Sequence, residues 1–225
     1  MTSQPTPQPA ERRHTRRGEA TAERILDAAE ALFAERGFAG TSLRDVAEVV
    51  GIRIPSLYNH FDSKATLHAA VLERGIGPLL ALLSEFVEAG RDDTYRNPSE
   101  LIGQLMELLA QRPNLPKLVQ YEILEGGETI TPVLQDWVRT IFGRSLEMVQ
   151  SSPAADEWRS GQLPLLMLAF YHVAIGYYTT APLVHALNLG DPLDEKALAR
   201  QSEFFSDLVT VLMTRGPLHK DPEES

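Results

Sequence analysis

The 225-residue chain contains no cysteine, which excludes several kinds of chemistry at once. A disulfide framework, a thiolate nucleophile and a cysteine-based metal site are all ruled out. This composition fits a reducing cytoplasm, where we expect the protein to act. The first 20 residues also lack an apolar run that could form the core of a signal peptide. They are rich in proline, glutamine, threonine and arginine, which predicts a disordered basic arm at residues 1–18.

Basic residues are in deficit, with 21 Lys+Arg against 31 Asp+Glu. The deficit is uneven, because residues 1–75 contain ten of each and residues 76–225 contain 11 and 21. A neutral N-terminal part with a basic tip can still offer phosphates a favourable patch. The alternative is a solvated tail that binds nothing. The tip consists of Arg12, Arg13, Arg16 and Arg17.

Motifs for catalysis and metal binding are also missing. The sequence contains no convincing nucleophile with a base, no glycine-rich phosphate loop and no metal-ligand spacing. His60 and His68 are eight residues apart, too far for a helical pair of metal ligands. The carboxylates Glu122, Glu125 and Glu128 are more simply explained by a solvated acidic turn than by a catalytic pair. We therefore expect no catalytic residue, no metal and no cofactor, and no enzyme activity.

The period of the apolar residues predicts two amphipathic helices near the N-terminus. The first spans residues 21–36 and ends at Gly37. The second begins at Thr41 or Ser42, and Asp45 follows the serine at the position of a capping-box acid. A helix this short is marginal alone, so we expect it to pack on its neighbours.

A third short helix, residues 54–61, follows a tight turn at residues 51–53 and completes a helix-turn-helix pattern. Leu57 and Phe61 are four residues apart, so both can face a shared core. The other side chains must point outward, which on a recognition helix means toward a DNA groove and its phosphates. These outward residues are Ser56, Tyr58, Asn59 and His60.

Residues 21–72 combine several short motifs in a fixed order. They read A-x-x-L-F-x-x-x-G-F, then T-S, D-V-A and G, and finally S-L-Y-N-H-F and S-K. This string resembles the DNA-binding domain of the tetracycline-repressor (TetR) family of transcriptional regulators, and its length makes it far more specific than a bare helix-turn-helix pattern. The resemblance implies an all-α fold with a three-helix DNA-binding head and a helical C-terminal domain for ligand binding and dimerisation.

The resemblance also implies roles for matching residues. Thr41 and Ser42 match the start of the second helix, where hydroxyl and N–H groups meet a phosphate. Tyr58 and His60 match an aromatic residue and a histidine that usually touch the DNA backbone. Lys64 matches a lysine that pairs with phosphate at the start of the fourth helix.

The turn before the third helix departs from the family pattern. Many relatives have a serine cap where this chain has Arg53, followed by small or flexible residues in place of Ile54 and Pro55. Arginine cannot cap, although Pro55 suits a first helical turn. Arg53 is then a candidate for a base or phosphate contact, and Ile54 for contact with a thymine methyl group. The alternative for Arg53 is a solvated turn residue.

The fourth helix begins at Lys64 and is interrupted by Gly75, Gly77 and Pro78. Pro78 lacks an N–H and crowds the carbonyl of Arg74, so a kink or break is expected near that residue. In the family this helix joins the head to the body and transmits ligand binding. The resemblance therefore implies a hinge here, and the alternative is an ordinary helix boundary.

The body contains no alternating strand pattern and no repeat of fixed period. Breakers separate its predicted helices at residues 91–98, 112–116, 125–131, 151–161 and 188–194. The predicted domains are the arm, a DNA-binding head at 19–66, an effector-binding and dimerisation domain at 67–216, and a disordered tail at 217–225.

An uncharged stretch, residues 161–189, is long enough to span a bilayer. Its histidines, threonines and proline argue against lipid, so no membrane span is expected and the stretch should be buried in the protein or against a second subunit. The next helix, residues 194–213, has an apolar stripe. The two helices resemble the pair that forms the dimer interface in the family, and a homodimer suits a palindromic operator. The interface candidates are Phe204, Phe205, Leu208 and Leu212.

A ligand pocket is implied by the resemblance, without the identity of its occupant. The candidates are large or polar-tipped residues on apolar helices of the body, each of which is alternatively simple core. They are Met106, Tyr121, Trp137, Phe142, Phe170, His172, Tyr177 and Tyr178.

The sequence thus predicts a regulator that binds double-stranded DNA, most simply a homodimeric repressor released from a palindromic operator by a small-molecule effector. Two alternatives remain open. One is a ligand-independent architectural or activating DNA-binding protein on the same scaffold. The other is a helical small-molecule-binding protein or enzyme with an unused DNA-binding head.

Overall fold

The computed structural model describes residues 9–90, 98–125, 132–150, 155–159 and 161–215. Within these ranges the regular secondary structure is helical and no strand occurs, so the predicted all-α class is confirmed. A short 3₁₀ turn covers Ala155–Glu157. The α-helices are α1 (Pro9–Arg36), α2 (Leu43–Val50), α3 (Ile54–Tyr58), α4 (Lys64–Gly90), α5 (Pro98–Gln111), α6 (Leu115–Glu125), α7 (Pro132–Gln150), α8 (Leu163–Thr179), α9 (Ala181–Ala186) and α10 (Glu195–Arg215).

The chain divides into two compact units, Met1–Val71 and Leu72–Ser225. The first, which we call the head, contains α1 to α3 and the beginning of α4. The second, the body, contains the remaining helices. The sequence predicts the end of the head at residue 66, five residues before the boundary in the structure.

The first helix starts earlier than predicted, at Pro9 instead of residue 21. Residues 9–18 are therefore helical where the composition predicts a disordered arm. Proline is tolerated in a first helical turn, and the alanine, glutamate and arginines that follow favour a helix, so nothing before Gly18 stops it. The rest of the predicted arm and the predicted tail at 217–225 lie outside the described residues.

Glycines in the left-handed conformation end α1 and α2. Gly37 has φ of 71° and Gly51 has φ of 74°, a region that side chains with a Cβ rarely enter. Gly51 also donates its backbone N–H to the carbonyl of Glu48 at 3.1 Å. Both predicted helix ends are confirmed.

The core of the head collects one apolar face from each short helix. Ile25 and Phe33 come from α1 and Val46 from α2, and all three are almost fully buried. Leu57 and Phe61 are buried as well, which confirms that this pair faces inward. Burial against neighbours stabilises α2 and α3, which are too short to be stable alone.

Helix α4 passes through Pro78 without ending. A break near Arg74 and the alternative of a helix boundary are both wrong, because the helix continues to Gly90, whereas the kink expected at Pro78 stays a prediction. Pro78 removes one hydrogen bond from the helix ladder. Ile76 and Leu79 are nevertheless buried, and packing of this face outweighs a single missing bond.

The body is held together by contacts of α5 with α10 and of α6 with α8. The hydroxyls of Ser99 and Thr210 share a hydrogen bond of 2.7 Å between α5 and α10. The Tyr178 hydroxyl on α8 donates to the carbonyl of Met106 on α5 at 3.2 Å. Burial raises the pKa of Tyr178 to about 12, so this phenol remains a neutral donor.

The uncharged stretch at 161–189 does not form one long helix. It divides into α8, with 17 residues, and the shorter α9, and Thr180 caps the first and begins the second. A bilayer needs about 20 apolar residues in one helix. Residues 64–86 of α4 are long and apolar enough to cross a membrane, and 44% of the apolar window in this helix is buried within the protein. One such helix is weak evidence for a membrane span.

Candidate nucleic-acid interface

The N-terminus of α2 carries a complete capping box. The backbone N–H of Asp45 donates to Ser42 Oγ at 3.2 Å, and the backbone N–H of Ser42 donates to Asp45 Oδ2 at 2.8 Å. The Ser42 hydroxyl also donates to Asp45 Oδ2, at 2.6 Å. These bonds, the hydroxyl bond foremost, hold the pKa of the Asp45 carboxyl below its usual value. The predicted capping box is confirmed, and Ser42 lies exposed where a phosphate could approach.

Thr41, immediately before the cap, faces the opposite way. Its side chain is 2% exposed, and its hydroxyl lies within hydrogen-bond distance of the carbonyls of Leu32, at 3.2 Å, and Gly37, at 3.0 Å. The hydroxyl therefore binds the backbone in the last turns of α1 and just beyond its end. The structure contradicts the predicted phosphate contact of the Thr41 hydroxyl. The sequence could not separate Thr41 from Ser42, because either hydroxyl can cap a helix.

Helix α3 is shorter than predicted, ending at Tyr58 instead of Phe61. The backbone N–H groups of His60 and Phe61 both donate to the carbonyl of Leu57, at 2.9 and 3.0 Å, and close the turn that follows. Arg53 is the N-cap residue and makes no side-chain capping bond, as the sequence indicates.

The predicted DNA-contact residues around α3 differ in exposure. Arg53, Tyr58 and Asn59 are exposed, and half of the Tyr58 side-chain surface is accessible. The outward orientation predicted for Tyr58 and Asn59 is therefore confirmed, although their contact with DNA stays a prediction. The remaining members of the set, Ile54, Ser56 and His60, are half-buried.

An open depression of about 540 Å³ brings part of this set together. It is lined by residues 39–45, Ile54, Tyr58 and Lys64, so the start of α2, the start and end of α3 and the first residue of α4 meet there. Arg44, an exposed cation in the first turn of α2, lines the same depression but is absent from the predicted set. Its position two residues after the cap residue Ser42 was the available signal.

Lys64 makes contacts that the sequence does not predict. Its Nζ donates to the backbone carbonyls of Phe38 at 2.8 Å and Thr41 at 3.0 Å. The same ammonium lies 4.2 Å from the centroid of the Phe38 ring. Two of its three N–H donors are therefore used within the head, and the side chain is half-buried.

The pocket candidates of the body occupy different environments. Met106 and Tyr178 are buried and joined by the hydrogen bond described above. Tyr177 donates its hydroxyl to the carbonyl of Pro192 at 2.7 Å, and His172 is exposed. Tyr121, Phe142 and Phe170 are half-buried, and the side chain of Trp137 lies outside the described residues.

The interface candidates on α10 are split by the helix register. Phe205 is 1% exposed, and its ring centroid lies 6.1 Å from that of Phe170, so it belongs to the chain's own core. The structure therefore contradicts the prediction for Phe205. Its neighbour Phe204 is 64% exposed, and Leu208 and Leu212 are half-buried. The buried side recurs every four residues, at Ala197, Gln201, Phe205, Val209 and Met213.

Acidic and histidine side chains do not cluster in the described ranges. No group of three or more His, Asp or Glu residues there could hold a metal ion.

The similarity of the chain to known proteins includes its head. Residues 25–71 match the family model described as bacterial regulatory proteins, tetR family. The HTH-type transcriptional repressor KstR2 of Rhodococcus jostii is 32% identical over 136 residues, which cover 60% of this chain and 57% of that protein. IcaR of Staphylococcus epidermidis, a negative transcriptional regulator of the biofilm operon icaADBC, is 33% identical over 51% of this chain and 65% of its own length.

The helical fold also recurs in solved structures. SmeT, solved as a complex with triclosan, is 23% identical and covers 89% of this chain with a TM-score of 0.59, and all of its own chain is matched. This likeness concerns the fold alone, and the chain spans 57% of the length of KstR2. The family model matches the residues that contain the capping box of α2 and helix α3, so the head of the chain is similar to the tetR family of bacterial regulatory proteins.

Proposed function

We propose that the protein is a transcriptional repressor that binds a palindromic DNA operator as a homodimer and is released by a small-molecule effector. The observation that carries the proposal is the depression in the head, where the capped start of α2 meets Ile54 and the exposed Tyr58 of α3. A helix N-terminus offers unpaired N–H groups and a positive dipole end to a phosphate. The exposed side chains of Arg53, Tyr58 and Asn59 are then free to approach the groove.

Repression is favoured over activation by the relatives, since KstR2 is named a repressor and IcaR a negative regulator. Action in the cytoplasm and absence of enzyme activity belong to the same proposal. They rest on the family of the head and not on any feature of the body.

Dimerisation is supported by apolar side chains that the single chain leaves exposed. On α8 these are Leu165, 64% exposed, and Leu168, 44% exposed. On α10 they are Phe204 and Val211, which are seven residues apart and therefore share a helix face. Exposed apolar stripes of this kind mark contact surfaces, and a second copy would present the same stripes in a symmetric interface.

Control by a small molecule is supported by the family and by the continuity of α4. SmeT, which shares the fold, was solved with triclosan bound. In the present chain α4 contributes to both compact units, so one helix links a change in the body to the head. The chemical class of the effector is not specified by this argument.

A salt titration of DNA binding tests the proposal. We would select duplexes from a random library with the purified protein and measure their affinity at several salt concentrations. Palindromic half-sites about one helical turn apart are expected, together with a steep fall of affinity with salt. Arg44→Gln should lower the slope of log affinity against log salt by about one. Enrichment of no sequence and equal affinity for all duplexes would contradict a repressor.

A further inference from the structure

We propose that Lys64 is a positioning residue of the DNA-binding head. Its ammonium fixes the capped start of α2 by binding the backbone that precedes this helix. The inference rests on the proposed DNA-binding function. It assigns the ammonium of Lys64 to contacts inside the protein, where the family resemblance implies a phosphate contact.

The two carbonyls that accept from Lys64 flank the turn between α1 and α2. Phe38 follows the left-handed Gly37, and Thr41 precedes the cap residue Ser42. One ammonium at the start of α4 therefore closes this turn at both ends, with distances of 2.8 and 3.0 Å. Hydrogen bonds from a charged donor are stronger than neutral ones, so the turn is held firmly.

The bond to Thr41 has a further consequence, because its carbonyl shares a peptide unit with the N–H of Ser42. That peptide unit is planar. Lys64 binds its oxygen, and Asp45 Oδ2 accepts its N–H at 2.8 Å. The peptide unit between Thr41 and Ser42 is thus hydrogen-bonded through both its carbonyl oxygen and its N–H. These two bonds fix the orientation of Ser42 and of the first N–H groups of α2.

The aromatic ring under Lys64 is itself immobilised. Phe38 stacks with Phe33 of α1 at 6.0 Å between ring centroids and packs on His68 of α4 at 4.9 Å. Phe33 and His68 are both buried. The face of the Phe38 ring is therefore a fixed platform for the ammonium, and a cation above an aromatic face is attracted by its quadrupole.

Lys64 could act as a phosphate ligand or as a positioning residue, and a loss of affinity alone would not distinguish these two roles. A phosphate ligand contributes counterion release, so its removal lowers the salt slope by about one. A positioning residue keeps the DNA-contacting backbone in one conformation and makes no phosphate contact. Its removal therefore lowers affinity with little change in the slope of log affinity against log salt. Arg44, exposed in the same depression, provides the matched charge control.

The test compares four variants on the selected operator duplex at a temperature where each is folded. Lys64→Met keeps the stem and removes the ammonium, and we expect about tenfold weaker binding with less than half the slope change of Arg44→Gln. Phe38→Leu keeps the charge and removes the platform, so it should weaken binding by a similar factor, and the double variant should lose little more. Ile25→Val disturbs the core of the head outside the cluster of the Phe33, Phe38 and His68 rings, and it should leave affinity within about threefold.

Amide hydrogen exchange gives a readout that needs no DNA. The N–H of Ser42 should exchange faster in Lys64→Met and Phe38→Leu than in Ile25→Val, when each variant is compared at the same interval below its melting temperature. A slope lowered by about one in Lys64→Met, with normal binding by Phe38→Leu, would overturn the inference and restore the phosphate contact. Failure of the unaltered protein to select any duplex would instead overturn the proposed function, while the exchange result would still decide the role of Lys64.

Discussion

At the scale of single residues, the adjacent hydroxyls of Thr41 and Ser42 make different hydrogen bonds at the start of α2. Thr41 binds carbonyls at the end of α1, and Ser42 caps the next helix. Tertiary packing decides this division, because Thr41 is covered by the core of the head and Ser42 is not. The same kind of hydroxyl therefore binds backbone carbonyls in the core of the head at one position and caps α2 at the next.

Thr41→Val tests the inward role of this threonine. Valine has nearly the same shape but leaves the carbonyls of Leu32 and Gly37 without the hydroxyl donor. We expect the free energy of unfolding of the head to fall by about 1 kcal/mol, measured by thermal or urea unfolding. The salt slope of DNA binding should not change. A lowered slope would mean that this hydroxyl reaches a phosphate after all.

Asp45→Asn tests the pH dependence of the cap. Because the Ser42 bonds lower the carboxyl pKa from its ordinary value of 3.8, the ionised form stabilises the folded state. That contribution is complete above the ordinary value and is lost as pH falls through the lowered one. The difference in melting temperature between parent and variant should therefore be constant near neutral pH and shrink below about pH 4. A difference that persists unchanged at pH 2 would contradict ionic capping.

At the scale of helices, the two glycines of α4 have different surroundings. A Cβ at Gly75 would lie 2.6 Å from Cδ1 of Leu115, at the start of α6, whereas a Cβ at Gly77 would meet nothing within 4 Å beyond its chain neighbours. Gly75 is thus a close contact between α4 and α6. This contact explains a glycine in a helix interior without a hinge.

Gly75→Ala should destabilise the body, because buried Leu115 must move to admit the new methyl group. We expect a loss of about 1–3 kcal/mol in unfolding free energy. Gly77→Ala is the matched control, since its gain in helix propensity is offset by crowding against Pro78, and it should stay within about 1 kcal/mol of the parent. Adding Leu115→Val to Gly75→Ala should recover part of the loss. Equal stability of the two alanine variants would contradict the close contact.

At the scale of the whole molecule, the proposed homodimer depends on the apolar stripes of α8 and α10. Phe204→Glu places a charge in the proposed interface, where an unpaired charge costs about 3 kcal/mol or more. Sedimentation should then show monomers that keep their helical content. Phe205→Glu should instead unfold the body, because that ring is buried in the chain's own core. An intact dimer in Phe204→Glu would remove this residue from the interface.

The proposed effector control is also a property of the whole molecule. Linkage requires the operator to weaken effector binding by the factor by which the effector weakens operator binding, typically 5 to 150-fold. Paired titrations with an effector found by thermal-shift screening should give equal factors. Absence of coupling in the parent protein would leave a ligand-independent DNA binder.

The sequence by itself determined the local structure of the head. Gly37 and Gly51 end their helices because only glycine readily adopts a left-handed backbone, and Ser42 with Asp45 forms its capping box from residues three apart. Leu57 and Phe61 were also predictable from the local sequence as an inward pair, because residues four apart lie on the same face of a helical turn. Such features need only neighbours along the chain.

Tertiary structure decided every choice between chemically equivalent neighbours. Thr41 and Ser42 can both cap, and Phe204 and Phe205 can both be core, until packing buries one of each pair. The contacts of Lys64 join residues 23 and 26 positions apart, so no local pattern predicts them. The continuity of α4 through Pro78 likewise depends on burial of its neighbouring turns, because packing energy from distant residues outweighs a local preference to end the helix.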